Sequence, residues 1–172
     1  TTPPAARPLL DDLDDDALMT AAQAGAVAAF STLVRRHEPA VLRYLVRVLP
    51  DPEEARDVCQ DVFVEVWDRR ARYEARAARA AWLFRLARSR ATSRGRFLRV
   101  RRLFADARRG DNVDVDDRGS PAEQAEARER AAALRRALDA LPSTLRDAVA
   151  LRHGAGLDHR TIANVLAVDE AT

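Results

Sequence analysis

The stretch DPEEARDVCQDVFVEVWDR, residues 51–69, decides the fold because its apolar residues recur at helical spacing. Pro52 and two glutamates follow Asp51, where a fixed φ and negative charge favour a helix N-terminus. One side of this helix carries an apolar stripe: Ala55, Val58, Cys59, Val62, Phe63, Val66 and Trp67. The segment therefore predicts an amphipathic helix whose stripe belongs to a hydrophobic core.

The opposite side of this helix is acidic. With ~3.6 residues per turn, one outward face holds Asp57, Gln60, Asp61, Val64 and Asp68. Periodicity alone favours a solvated surface, because most charged helix faces are only hydrated. An exposed valine among acids instead indicates a protein contact, so both interpretations stay open at this level.

The sequence on either side of this helix also predicts helices, and therefore an all-α fold. A short helix over residues 15–24 ends at Gly25, and a fourth helix covers residues 77–104. The second helix, which Pro39 is expected to kink, has the stripe Phe30, Leu33, Val34, Val41, Leu45 and Val48. No convincing alternating strand pattern is present.

The helical pattern stops at residues 106–121, which contain two glycines and five aspartates and predict an exposed linker. Ser120 and Glu123 then form a capping box for another helix, whose expected core side is Ala127, Leu134, Leu138 and Leu141.

Two short helices follow, separated by Gly154 and Gly156. Ser143 or Thr144 is expected to cap the first helix, and Asp158 the second. This arrangement predicts the start of a helix-turn-helix. The recognition helix would begin near Glu170, so the sequence is expected to be truncated within the motif.

Composition excludes several classes of protein. The chain has 172 residues, 47% of them hydrophobic, with no apolar run of membrane-spanning length and no secretory signal pattern, so we expect a cytoplasmic protein. The single cysteine, Cys59, lies on the apolar stripe and predicts a small buried hydrophobe. The three histidines lack metal-ligand spacing, and no nucleophile motif or phosphate loop occurs. We therefore expect no catalytic residues, no metal, no cofactor and no enzymatic activity.

Charge is distributed unevenly along the chain. Residues 51–68 carry seven acids against Arg56, whereas residues 69–102 carry thirteen arginines against Glu74. Aromatic residues are interspersed in the basic run, and arginine pairs with phosphate while aromatic rings stack on unpaired bases. The run predicts a surface for a nucleic-acid strand held open, although core packing is the better interpretation of any single aromatic residue.

Three segments, in this order, resemble bacterial sigma factors of the extracytoplasmic-function type, in the sigma-70 family. Residues 29–69, AFSTLVRRHEPAVLRYLVRVLPDPEEARDVCQDVFVEVWDR, resemble the first part of sigma region 2. Residues 78–91, ARAAWLFRLARSRA, resemble its promoter-melting part at a typical spacing. Residues 141–172, LPSTLRDAVALRHGAGLDHRTIANVLAVDEAT, resemble sigma region 4 up to the turn of its helix-turn-helix.

The resemblance implies two small helical domains joined by a flexible acidic linker. Their implied boundaries are a disordered tail at 1–14, region 2 at 15–105, the linker at 106–121 and region 4 at 122–172. The implied partners are RNA polymerase core, promoter DNA at the −10 element (and the −35 element if the C-terminus is complete) and an anti-sigma factor, without direct membrane insertion.

The resemblance also implies roles for individual residues. Asp57, Gln60 and Asp61 match positions that dock on the clamp helices of the polymerase largest subunit, and Val64 lies on the same face. The loop from Arg69 to Arg79 matches the segment that captures an extruded base. The implied DNA-binding residues are Arg72, Tyr73 and Arg79 in this loop and Trp82, Arg85, Arg88 and Ser89 on the recognition helix.

The chain departs from the family pattern on that recognition helix. Ser89 stands where the family commonly has asparagine, and Ser93 and Arg94 replace a usual acid and aromatic residue. These differences leave open which −10 bases are read.

Two alternatives remain at the level of sequence. An ordinary helix-turn-helix regulator that acts without binding polymerase explains the C-terminal residues, but it gives no purpose to the acidic helix or the basic run. A protein-binding helical adaptor predicts no salt-sensitive affinity for DNA.

Overall fold

A computed structural model describes residues 10–73, 79–104, 126, 129–130, 132–134, 136–138 and 140–167. The described residues contain no strand, which confirms the all-α class. Within these ranges, short 3₁₀ turns at Leu10–Asp12 and Arg70–Arg72 accompany the helices α1 (Asp15–Gln23), α2 (Val27–Val48), α3 (Pro52–Arg69), α4 (Arg79–Phe104), α5 (Ser143–His153) and α6 (His159–Leu166).

Helix α3 lies between α2 and α4, and α1 packs on α2. Six of the seven residues predicted for the α3 stripe are buried. The seventh, Trp67, is half-buried against Phe30, with the ring centroids 5.0 Å apart. The helical period of 3.6 residues thus predicts the buried side of α3 correctly, because one apolar stripe serves both neighbouring helices.

Local sequence features account for the start of α3 and the end of α1. The Asp51 side chain accepts a hydrogen bond from the backbone amide of Glu53 at 2.9 Å, which caps α3. Gly25 has a φ of +94° in the turn after α1, a conformation that costs glycine little. Helix α2 continues through Pro39 from Val27 to Val48.

The C-terminal helices depart in part from the sequence expectation. Asp158 caps α6 as predicted, accepting a hydrogen bond from the Thr161 amide at 2.7 Å. The expected cap on α5 is wrong, because Pro142 occupies the N-cap position and no side-chain cap hydrogen bond forms. The fixed φ of proline orients the chain for helix entry without such a bond.

The predicted core side before α5 is also wrong in its described part. Leu134 is 62% exposed, and Leu138 and Leu141 are only half-buried. Periodicity shows which side of a helix is apolar, but it does not show which element of the fold packs on that side. Of the expected N-terminal tail at 1–14, residues 10–14 are described and include the 3₁₀ turn Leu10–Asp12 and the Asp14 cap on α1. The rest of that tail, Ala127, the linker at 106–121, the expected capping box and the expected recognition helix lie outside the described residues.

Cys59 is buried in the core, which confirms its interpretation as a small hydrophobe. Burial, and then the negative charge of Glu38, raises the pKa of the thiol to about 11. Among the described helices, none combines the length and the apolar character needed to cross a membrane.

The burial pattern of α3 predicts the effect of two matched substitutions. Val62→Ala should lower the free energy of unfolding by about 2 kcal/mol or more, because it leaves a cavity at a fully buried position. Val64→Ala, at a position 60% exposed on the same helix, should change it by less than about 0.5 kcal/mol. Chemical denaturation measures both, and equal losses would contradict the burial pattern of α3.

The raised thiol pKa predicts the pH dependence of Cys59 chemistry. At pH 8 the folded chain should be alkylated at least about 100-fold more slowly than the denatured chain, since a shift of two pH units lowers the thiolate fraction by that factor. The unfolded thiol loses its proton near pH 9.0 and the folded thiol near 11, so stability should fall as the pH rises through this window. Iodoacetamide labelling followed by mass spectrometry measures the rate, and rapid labelling of the native chain would contradict the prediction.

Candidate protein and nucleic-acid interfaces

The outward face of α3 has the composition that the sequence predicts. Asp57, Gln60, Asp61, Val64 and Asp68 are all exposed. In the described part of the chain, the carboxylates of Asp57 and Asp61 form no hydrogen bond or ion pair, and the Val64 side chain stands between acids. The face therefore offers unpaired negative charge around one apolar side chain.

Two other acids of α3 have a different role. Glu65 is only 8% exposed, and its carboxylate pairs with Arg90 of α4 at 2.5 Å and with Arg69 at 2.6 Å. Glu54 pairs with Arg94 of α4. The hydrogen bond to Glu65 raises the pKa of Arg90, so the guanidinium keeps its charge. These contacts hold α4 against α3, so some arginines of the basic run are already paired within the chain.

Sequence reasoning missed these α3–α4 ion pairs. Both partners lie on separate helices, 25 residues apart for Glu65 and Arg90 and 40 apart for Glu54 and Arg94. No local spacing indicates such a pair, because spacing within one helix reports only neighbours three or four residues away.

Helix α4 exposes a stripe that is separate from its ion pairs with α3. Arg85 and Ser89 are exposed, and Trp82 is half-buried at the start of the stripe. Arg90 lies about 140° around the helix from Arg85 at 3.6 residues per turn, which explains why the two arginines face different surroundings. Arg79 begins the helix, and its side chain lies outside the described atoms.

The loop before α4 is held against α1 at its described end. The Tyr73 hydroxyl donates a hydrogen bond to Asp16 at 2.7 Å, and Gln23 donates to the backbone carbonyls of Arg70 and Tyr73 at 2.8 and 2.9 Å. The Tyr73 ring meets the Trp82 ring edge to face, with centroids 5.6 Å apart. Tyr73 and Trp82 are thus brought together beside the exposed Arg72.

The remaining predicted DNA-binding residue, Arg88, is paired within the chain. Its Nε donates a hydrogen bond to Asp147 of α5 at 2.6 Å. The hydroxyl of the fully buried Tyr44 of α2 donates to the same carboxylate at 3.2 Å. Neither partner was predicted, since Asp147 lies 59 residues from Arg88 and 103 from Tyr44.

The sequence is similar to one family model and to two named bacterial proteins. Residues 33–109 match the family model for Sigma-70 region 2. The chain is 29% identical to the RNA polymerase sigma-H factor of Pseudomonas aeruginosa, over 92% of this chain and 85% of that protein. It is 28% identical to the RNA polymerase sigma factor NccH of Alcaligenes xylosoxydans xylosoxydans, over 92% of this chain and 86% of that protein.

Solved structures share the fold. The structure of CnrH in complex with the cytosolic domain of CnrY matches with a TM-score of 0.66 and 26% identity, over 92% of this chain and 86% of that chain. The sigma factor RpoE, solved with the anti-sigma factor NepR from Bartonella quintana, matches with a TM-score of 0.63 and 20% identity, over 83% of this chain and 85% of that chain.

The comparisons cover the elements that carry the two exposed surfaces. The region 2 match spans most of α2, all of α3 and all of α4. The likeness to CnrH extends beyond that match, because it covers 92% of the chain. These matches favour neither a free-standing helix-turn-helix regulator nor a helical adaptor. The chain thus matches Sigma-70 region 2 over residues 33–109 and is similar, over 92% of its length, to proteins named as RNA polymerase sigma factors.

Proposed function

We propose that the chain is a sigma factor of the extracytoplasmic-function type, which binds RNA polymerase core through the outward face of α3 and directs it to promoter DNA through α4. The observation that carries the proposal is the presence of two exposed surfaces of opposite charge on two helices that pack directly together. The polymerase supplies the catalysis, and the chain supplies binding and orientation, in the cytoplasm where its partners act.

The proposed polymerase contact consists of Asp57, Gln60, Asp61 and Val64. Unpaired carboxylates favour a basic partner surface and increase the rate of encounter with it. Val64 supplies an apolar contact at the centre of the charged face. Because the opposite side of α3 is locked into the core, binding at this face needs no rearrangement of the helix.

The proposed DNA contact uses the exposed stripe of α4 and the loop before it. Arg72, Arg85 and, once it is free, Arg88 provide guanidinium groups for phosphates or base edges. Tyr73 and Trp82 provide rings on which an unpaired base stacks. The described contacts of Tyr73 hold its ring in place before DNA arrives, which reduces the entropy lost on binding.

The proposed domain organisation follows from these surfaces. Residues 15–105 form region 2, residues 106–121 link it to the C-terminal unit, and residues 122–172 belong to region 4. We further propose control by an anti-sigma factor, by analogy with the relatives solved in complexes. A partner that covers α3 and α4 would withhold both the polymerase and the DNA surface.

The polymerase contact is tested by reversing its charge. Asp57→Arg with Asp61→Arg should weaken core binding by at least about tenfold, because like charges then face each other across the interface. The fold should be retained, since both positions are exposed. Co-purification with polymerase core and fluorescence titration measure the binding.

The matched control is Asp12→Arg with Glu129→Arg, which makes the same change in net charge at exposed positions away from α3. It should bind core like the wild type. Equal binding by the two double variants would show that the outward face of α3 does not contact polymerase.

The DNA contact is tested by salt dependence. Arg85→Ala should reduce the slope of log affinity against log salt by about 0.7 for single-stranded DNA, because one phosphate contact is lost. Arg90→Ala, on the same helix, should leave the slope unchanged, since Arg90 is paired with Glu65. Fluorescence anisotropy with labelled oligo(dT) measures both, with circular dichroism as a check on folding. The same loss of slope in both variants would contradict the division of α4 into two sides.

A further inference from the structure

The C-terminal helices α5 and α6 lie against α2 and α4 rather than apart from them. We propose that the surface of α2 and α4 around Tyr44 and Arg88 is a docking site for the chain's own α5–α6 pair, and that docking competes with nucleic acid for Arg88. The competition rests on the proposed function, whereas the docking does not.

Asp147 is the centre of this contact. Its side chain is only 13% exposed, and its two oxygens accept hydrogen bonds from different helices, Oδ2 from Arg88 of α4 and Oδ1 from Tyr44 of α2. A buried carboxylate is costly unless it is paired, and here a guanidinium and a hydroxyl both satisfy it. The position of α5 is therefore specified by polar geometry as well as by packing.

A second anchor lies at the end of α5. The Gly154 carbonyl accepts a hydrogen bond from Arg43 Nε of α2 at 2.8 Å. A Cβ at Gly154 would come within 2.5 Å of the Ala150 carbonyl of α5, and within 3.2 Å of the Arg43 carbonyl and the Arg47 side chain of α2. Glycine is needed here first for the close turn at the end of α5 and then for the approach of α2, and not for its φ, which is −88°.

Apolar packing connects the same elements. Leu151 of α5 is fully buried, and Ile162 and Val165 of α6 are buried as well. All three belong to the core cluster that contains the stripe of α3. The docked pair thus extends one core, so its position against α2 and α4 is not a loose surface contact.

Competition follows from the chemistry of Arg88. Asp147 occupies Nε and offsets the charge of the guanidinium, which leaves less attraction for a phosphate at the remaining N–H groups. A phosphate beside Asp147 would also face a like charge. Arg88 therefore binds a nucleic-acid phosphate more weakly while it is paired with Asp147, which makes docking and DNA binding oppose each other.

The experiment compares Asp147→Asn with Asp12→Asn in the full chain. Both variants lose one negative charge, but Asp12 is exposed and distant in sequence from the docking site. Asp147→Asn should bind labelled oligo(dT) at least about fivefold more tightly than Asp12→Asn, the lower end of usual coupling between linked equilibria. Its salt slope should be steeper by about 0.7, since Arg88 gains a phosphate.

A second variant opens the site from the other side. Arg43→Ala removes the hydrogen bond to Gly154 and also removes a positive charge. General electrostatics would then weaken DNA binding, so tighter binding than that of the wild type supports release of the docked pair. Thermal unfolding confirms that each variant is folded.

Hydrogen exchange tests docking without DNA. Peptides from residues 143–153 should exchange faster in Asp147→Asn and Arg43→Ala than in Asp12→Asn. Unchanged exchange in both variants would overturn the docking site, and faster exchange without tighter DNA binding would overturn the competition. If no variant binds oligo(dT), the proposed function and the competition both fail, while the exchange result still decides the docking.

Discussion

The packing of α3 between α2 and α4 is the constraint on which the rest of the structure depends. Its apolar stripe is shared by two neighbours, so only one narrow face is left for contacts outside the chain. Glu65, at the edge of that stripe, is buried and would destabilise the fold without a partner. Arg69 and Arg90 satisfy it, and the bond to Arg90 joins α4 to α3. The apolar side of α4 packs into the core, so the side that carries Arg85 is turned outward.

This arrangement divides the basic run by function. Arg90 and Arg94 hold α4 in place through α3, whereas Arg85 is exposed and available to a ligand. A count of thirteen arginines in sequence therefore overstates the charge presented to nucleic acid. Arg94 stands where the family that the chain resembles commonly has an aromatic residue, and it has a structural role here, because its guanidinium pairs with Glu54.

The sequence was sufficient for features that depend on residues close together in the chain. The stripe of α3, the start of α3 after Asp51, the Asp158 cap and the outward acidic face all follow from helical periodicity or from the chemistry of helix ends. The roles assigned to Asp57, Asp61 and Arg85 came from resemblance, and they stay predictions because exposure alone does not identify a partner.

The sequence was insufficient where two distant elements meet. The pairs Glu54–Arg94 and Arg88–Asp147 join helices that no spacing rule connects. Tyr44 is not part of the predicted stripe of α2, yet it is fully buried. Its burial depends on Asp147, which accepts a hydrogen bond from the Tyr44 hydroxyl. Asp147 lies on α5, which begins far along the chain at Ser143.

The hydrogen bond between Tyr44 and Asp147 contributes only a limited part of the free energy of docking. Burial, and then the charge of Asp147, raises the pKa of its hydroxyl, which keeps the proton available for donation. On release of α5, the freed polar groups regain water, so these hydrogen bonds contribute only modestly to the free energy of docking. The packing of α6 on α4 contributes the larger share through its buried apolar side chains. A ligand that competes for Arg88 alone therefore shifts the equilibrium less than one that also displaces α6 from α4.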